Sequence, residues 1–325
     1  MAPEQASRAT GGTGFILVLL GSTVLMGSSF IAGKILLQAG VPPMLLVGWR
    51  FFVAALATLP LVLLDHRNPW RALRPPSMSL RDGAVVVVIG LLQTAGVMGL
   101  LFLAMQTISA STAAILLFTN PILVALLGRL FLGETLHRMR VLGLIVGAAG
   151  VALAIGVGPQ LFVGTGTLVG EIIGLLSALC WALATIVTKR SIVPMGAWAL
   201  SFWQMLVGSL AVLAYACATG ERWPAVFTPA QWAWFFWLAI PASTGSFGLW
   251  YVALARGGAT RTSGYLFLAP LFTVILAYFI LGASLSWIQA CGGLLVGVAL
   301  WLVNRETPAR TPRELLQEAR AEGQP

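Results

Sequence analysis

Ten stretches of about 20 residues, each nearly free of charge, decide the solvent in which this chain folds. They cover residues 14–38, 44–64, 83–105, 109–131, 139–157, 168–188, 195–218, 230–254, 262–282 and 286–303. An apolar helix of about 20 residues crosses a hydrocarbon core of roughly 30 Å. With 58% hydrophobic and 9% charged residues, the chain falls far below the charge content of soluble domains, about 25%. Lipid offers backbone N–H and C=O groups no partners, so stretches of this length must close their hydrogen bonds as helices. The expected fold class is an all-α integral membrane protein with ten transmembrane helices.

The formal charge of +9 invites a nucleic-acid reading, which its distribution excludes. With the N-terminus inside, 15 of the 19 basic residues fall on the inner side: Arg8, Arg67, Arg71, Arg74, Arg81, Arg138, Arg140, Lys189, Arg190, Arg256, Arg261, Arg305, Arg310, Arg313 and Arg320. The outer loops hold Arg222, and Lys34, Arg50 and Arg129 lie within spans. This is the positive-inside asymmetry, and it predicts both termini in the cytoplasm.

The second half of the chain repeats the first. GVMGLLFLA from Gly96 is echoed by GSFGLWYVA from Gly245, and FTNPILVALLGRLFLG from Phe118 by FLAPLFTVILAYFILG from Phe267, both at an offset of 149 residues. Lys34, closing GSSFIAGK, matches Lys189, closing ALATIVTK, at an offset of 155. Five spans per half is an odd number, so the second copy enters the bilayer from the opposite side. Inverted repeats of this kind place a transport site where the halves meet. The expected organisation is a cytoplasmic segment 1–13, a first half 14–157, an outer linker 158–167, a second half 168–303 and a cytoplasmic tail 304–325. The first span is longer than the core of a signal peptide and is expected to be retained.

Other residue types carry less. Cys180, Cys217 and Cys291 lie in apolar spans without metal-ligand or redox spacing. His66 and His137 lie in loops with no clustered metal partners, so no cofactor or metal is expected. Gly143 and Gly147, and Gly293 and Gly297, have the spacing at which helix backbones approach closely, within the chain or across a homodimer seam. Trp223, Trp232, Trp234, Trp287 and Trp49 fall near outer boundaries and Trp198 and Trp301 near inner ones, as interfacial anchors do.

Taken together, MGSSFIAGK in the first span, WRFFVAALATLPLVLL in the second, STAAILLFTNPILVALLGRLFLGE in the fourth, and CWALATIVTKR and GYLFLAPLFTVILAYFILG in the second half resemble the drug/metabolite transporter superfamily. The resemblance is to its EamA-type ten-helix members and covers nearly all of residues 14–303. It implies export of amino acids, other metabolites or drugs across a bacterial inner membrane. One subgroup, the YddG-like exporters, carries amino acids. It also implies that helices one to four and six to nine line the route while five and ten support the periphery. Two positions depart from the pattern: Met26 stands where tryptophan is frequent, and Ala283 occupies the position matching Glu134.

Candidate site residues follow from polarity at membrane depth. Lys34 and Arg50 lie near the outer ends of their spans, where one of them could attract a substrate carboxylate; pairing of Lys34 with Glu171, or snorkelling, is the structural alternative. Gln93, Asn120 and Gln204 lie well inside their spans and can read amino or carboxylate groups, or bond helix to helix. Tyr251 and Tyr265 add hydroxyls, and Trp181 an apolar wall. Pro121 and Pro270 are expected to bend the fourth and ninth spans and to act as hinges, or to set static kinks. Glu134 could lock a cytoplasmic gate by pairing with Lys189 or Arg138. No phosphate-binding loop is present, which leaves ATP-driven pumping unsupported, and no nucleophile, base or metal constellation supports an intramembrane enzyme. The leading expectation is alternating-access export of small metabolites, amino acids first. Efflux of drugs or hydrophobic cations, and a noncatalytic receptor or assembly subunit, are the alternatives.

Overall fold

The computed structural model describes residues 13–65, 69–107, 113, 116–134, 136–155, 167–191, 193–257, 259–281 and 287–304. All regular structure among them is helical. The main helices are α1 (Thr13–Gln38), α2 (Pro43–Asp65), α3 (Leu80–Ala104), α4 (Asn120–Leu132), α5 (Arg138–Ile155), α6 (Thr167–Arg190), α7 (Ala197–Ala218), α8 (Pro229–Arg256), α9 (Ala259–Gly264 and on to Leu281) and α10 (Trp287–Asn304). Seven of these, α1, α2, α3, α6, α7, α8 and α9, are long and apolar enough to cross a membrane. α4, α5 and α10 stand where the remaining three expected spans lie.

The repeat in sequence is a repeat in structure. α3 opens on a capping box, with the Ser79 hydroxyl accepting from the Asp82 N–H and the Asp82 carboxylate accepting from the Ser79 N–H. α8 opens on the same device made of Thr228 and Gln231, 149 residues later. Two orphan N–H groups are satisfied reciprocally at each start. Both helices then widen into a π-helical segment, Leu91–Gly99 in α3 and Ile240–Gly245 in α8, again beginning 149 residues apart. In α8, Pro241 lacks the N–H that a regular turn requires, one cause of such widening. α3 has no proline in its segment.

Helix pairing follows the same symmetry. α1 packs on α8 and α9, as α6 packs on α3 and α4. α3 packs on α7, as α8 packs on α2, while α2–α7 and α5–α10 pair with their own counterparts. Exchanging the halves maps each pair onto another pair or onto itself. Without a hydrophobic drive between helices in lipid, such contacts depend on close backbone approach. A Cβ at Gly143 would lie 2.9 Å from Leu302 Cβ, and one at Gly150 would lie 2.9 Å from the Gly292 carbonyl oxygen. Gly143 and Gly150 thus serve the seam with α10 inside the chain, whereas Gly147 meets the Phe267 ring of α9 and Gly297 faces open space.

Two expectations change. Pro121 does not bend a continuous helix. Pro121 is in the first turn of α4, after a turn at Phe118–Thr119. Pro270 is in the first turn of Leu268–Leu281, after the 3₁₀ segment Tyr265–Phe267. The chain breaks ahead of Pro121, where a missing N–H costs no hydrogen bond, whereas Pro270 follows a 3₁₀ segment inside the continuous α9. Trp198 is half-buried rather than fully lipid-facing, with its ring against Gly248 of α8. Trp49, Trp232, Trp287 and Trp301 are exposed as expected.

Candidate functional site

The interior where the halves meet carries an unusual number of polar side chains. Thr94, in the π segment of α3, donates through Oγ1 to Gln204 Oε1 of α7 at 2.7 Å. Gly90 and Gly208 make that approach possible, because a Cβ on Gly208 would run into Thr94 and the Gly90 carbonyl. Ser177 of α6 donates to the Val97 carbonyl at 2.8 Å, and Asn120 Nδ2 of α4 donates to the Ala178 carbonyl at 3.3 Å. Trp181, one turn further along α6, meets Trp250 of α8 edge-to-face with ring centroids 6.1 Å apart.

Five of the eight residues expected at the binding site end in a buried polar atom that has no partner: Gln93 Nε2, Asn120 Oδ1, Trp181 Nε1, Gln204 Nε2 and the Tyr251 hydroxyl. Ser201 Oγ, which the sequence reading did not select, joins them. Burying such a group unpaired costs about 1–3 kcal/mol, and these six lie on α3, α4, α6, α7 and α8, while Trp223, Thr260, Thr262 and Ser263 carry further buried atoms without a partner. Four of the six are N–H donors or a phenol.

A second tie mirrors the first. Arg50 of α2 is 3% exposed and donates through Nε to Ser243 Oγ at 2.7 Å. Ser243 stands in the π segment of α8, 149 residues after Thr94. Its own hydroxyl proton goes to the Leu238 carbonyl at 2.7 Å, and the neighbouring Thr244 donates to the Ala54 carbonyl at 2.7 Å. Arg50 and Gln204 correspond as well: each follows a tryptophan, Trp49 or Trp203, and stands at the same place in the paired helices α2 and α7.

The other candidates sit elsewhere. Lys34 is exposed on the face of α1 that carries Phe30, and it forms no ion pair with Glu171. Tyr265 is buried against Phe15 at the start of α1, with ring centroids 6.2 Å apart, away from the central polar group. Lys189 is half-buried at the end of α6 and makes no salt-bridge contact with Glu134, although it lies within electrostatic reach. Glu134 instead joins the halves through backbone. Gly133 ends α4 in the left-handed region at φ 67°, and the chain reverses so that the Glu134 N–H bonds the Gly128 carbonyl. Its carboxylate then accepts from the N–H groups of Ala259 and Thr260 at 2.7 and 3.1 Å, at the start of α9. A carboxylate there satisfies orphan donors and meets the positive end of the helix dipole.

Thr94 and Ser243 were missed because hydroxyls are common in membrane helices. The signal available was their shared offset with the flanking echo. Among the described residues, no group of His, Cys, Asp or Glu could hold a metal ion.

Comparison with known proteins agrees with this architecture. The EamA-like transporter family profile matches twice, over residues 13–156 and 168–305. An uncharacterized transporter of Archaeoglobus fulgidus is 29% identical over 289 residues, covering 88% of this chain and 96% of its own length. The transporter YvbV of Bacillus subtilis is 26% identical over 83% of this chain and 85% of its own. A WAT1-related chloroplastic protein of Arabidopsis thaliana is 26% identical over 91% of this chain and 71% of its own. A solved crystal structure shares the fold with a TM-score of 0.76 at 18% identity, covering 90% of this chain and 97% of that one. With both halves matched and the helices apolar enough to cross a bilayer, the chain belongs to the EamA-like transporter family of the drug/metabolite transporter superfamily and is a multi-pass membrane transporter.

Proposed function

We propose that this transporter exports small metabolites, amino acids first among them, by alternating access to a central site between two inverted five-helix halves of a bacterial inner membrane protein. The observation that carries the reading is the set of buried, unpartnered polar atoms on α3, α4, α6, α7 and α8. Donors predominate in it, and the one carboxylate that joins the halves near α9, Glu134, is already engaged by backbone. Donors complement the carboxylate of an amino acid better than they complement a hydrophobic cation, which places drug-cation efflux second. The ten-span topology with both termini inside follows from the basic loops and the odd number of helices in each half. In that orientation the Glu134 contact lies at the cytoplasmic end and holds α4 to α9, a closed inner gate. Exchange or facilitated export needs no further chemistry from this chain.

Counterflow of labelled amino acids in proteoliposomes tests the reading. Accumulation against an internal pool of unlabelled amino acid, lost in Gln204→Ala at equal insertion, is the expected result. A wild-type protein that binds amino acids without moving them would instead make it a receptor. Counterflow of hydrophobic cations alone would reverse the order of cargo.

A further inference from the structure

We propose that Arg50, held by Ser243, is the carboxylate receptor of the transport site, with Gln204, held by Thr94, as its neutral counterpart in the other half; this rests on the exporter reading above. The two ties have one design. In each, a hydroxyl from a π segment engages the near atom of a longer polar side chain: Ser243 Oγ takes Arg50 Nε, and Thr94 Oγ1 gives its proton to Gln204 Oε1. In each, the far end of that side chain is left with unused N–H donors. Gln204 Nε2 is buried without a partner. The two terminal nitrogens of Arg50 make no hydrogen bond among the described residues, and neither is sealed off as a buried unpartnered atom. The small accessible remnant of this side chain therefore lies at its charged end.

Charge separates the two. A buried arginine in a membrane helix ordinarily finds an acidic partner, and among the described residues none pairs with Arg50. Of the acidic side chains described, Glu134 engages α9, Glu221 accepts from the Leu45 N–H, Asp82 caps α3 and Glu171, on α6, makes no ion pair. One face of the guanidinium meets an aromatic ring: its Cζ lies 4.6 Å from the centroid of the Phe51 ring, which in turn meets Phe247 at 5.4 Å. With Nε engaged, the two Nη groups remain as a fork whose spacing fits both oxygens of a carboxylate. The Ser243 proton is committed to the Leu238 carbonyl, so the serine can only accept from Arg50. That fixes the direction of the guanidinium. Ser243 is a positioning residue, and the π geometry that places it is the local cause.

The site so described takes a carboxylate attached to an apolar body. The test is counterflow in proteoliposomes with labelled leucine, phenylalanine and threonine, each set against its carboxamide, for the wild type, R50Q, R50K and S243A. The wild type is expected to prefer acid over amide by about tenfold or more, the worth of a hydrogen-bonded charge. R50Q should bring that ratio close to unity, R50K should leave an intermediate ratio, and S243A should keep the preference while raising the half-saturating concentration several-fold. A merely structural brace would lower all rates together and leave the ratio alone. R50Q that inserts and melts like the wild type yet keeps its preference overturns the inference while the exporter reading stands. Should R50Q fail to insert, unchanged ratios and half-saturation in R50K and S243A overturn it equally. Absence of wild-type counterflow with all three amino acids removes the exporter reading, and this inference with it.

Discussion

Gly99 and Gly248 occupy equivalent places in the two echoes, yet their surroundings differ completely. A Cβ on Gly248 would collide with the Trp198 ring, whereas one on Gly99 would meet nothing within 4 Å. Gly248→Ala is therefore expected to destabilise the protein by about 1–3 kcal/mol, the usual cost of overpacking. Gly99→Ala should be neutral or slightly stabilising, because alanine removes conformational freedom from the unfolded chain. Melting temperatures of the two variants in detergent check this. Equal values would show that Trp198 moves aside at no cost. Arg50 and Gln204 give the same lesson in polar form, since one position in the repeat holds a cation in one half and an amide in the other. Symmetry sets where a side chain stands, and its identity sets what it can bind.

At the scale of elements, the junction of α4 with α9 depends on three consecutive features. Gly133 allows the left-handed turn, Glu134 is delivered by that turn, and the start of α9 presents two free N–H groups to it. The position matching Glu134 in the second half is Ala283, so this device exists once. Glu134→Ala is expected to loosen this end of the molecule. A cysteine placed at Thr260, in a background lacking Cys180, Cys217 and Cys291, should then react with a thiol reagent about tenfold faster, in line with the loss of charge-assisted hydrogen bonds. Glu134→Gln, which keeps an accepting oxygen, should fall between. Unchanged labelling in both variants would show that α4 and α9 are held by packing alone. The π segments of α3 and α8 are the second paired device, and each places a hydroxyl where an unwidened helix would carry it to another face.

For the whole molecule, the pairing of helices exchanges with the halves, and the symmetry is read most directly in α2–α7 and α5–α10, which map onto themselves. The first pair is tied into the polar interior by Arg50 and Gln204, while the second seals a seam of small residues to one side. The proposed inverted arrangement makes a plain topological prediction. Single cysteines at Thr219 and at Arg140 should be accessible to an impermeant reagent from opposite faces of intact cells, Thr219 from outside. Labelling of both from the same side would contradict the five-plus-five inversion.

The helices were legible in the sequence because lipid leaves the backbone no alternative: the apolar runs predicted α1 as 14–38, and the helix is Thr13–Gln38. The duplication was legible for a similar reason, since echoes such as those at Gly96 and Gly245 persist where close packing restricts change. Gln93, Asn120, Trp181, Gln204 and Tyr251 could be picked out as candidates because polar groups deep in a span stand out by composition alone. Sequence could not tell which would be left unpartnered, since Lys34 and Arg50 look alike in a hydropathy reading. One is exposed and the other is buried on Ser243. Nor could it show that Glu134 reaches the backbone of α9 rather than a basic side chain, or that Pro121 follows a break instead of making a bend. Those outcomes depend on which helix faces which, and on the rotation of each about its axis. Composition and period determined that this chain spans a membrane as two related halves; only the packing of one half against the other decided which polar groups meet, because that meeting requires contacts such as those of Asn120 with Ala178 and Arg50 with Ser243, 58 and 193 positions apart.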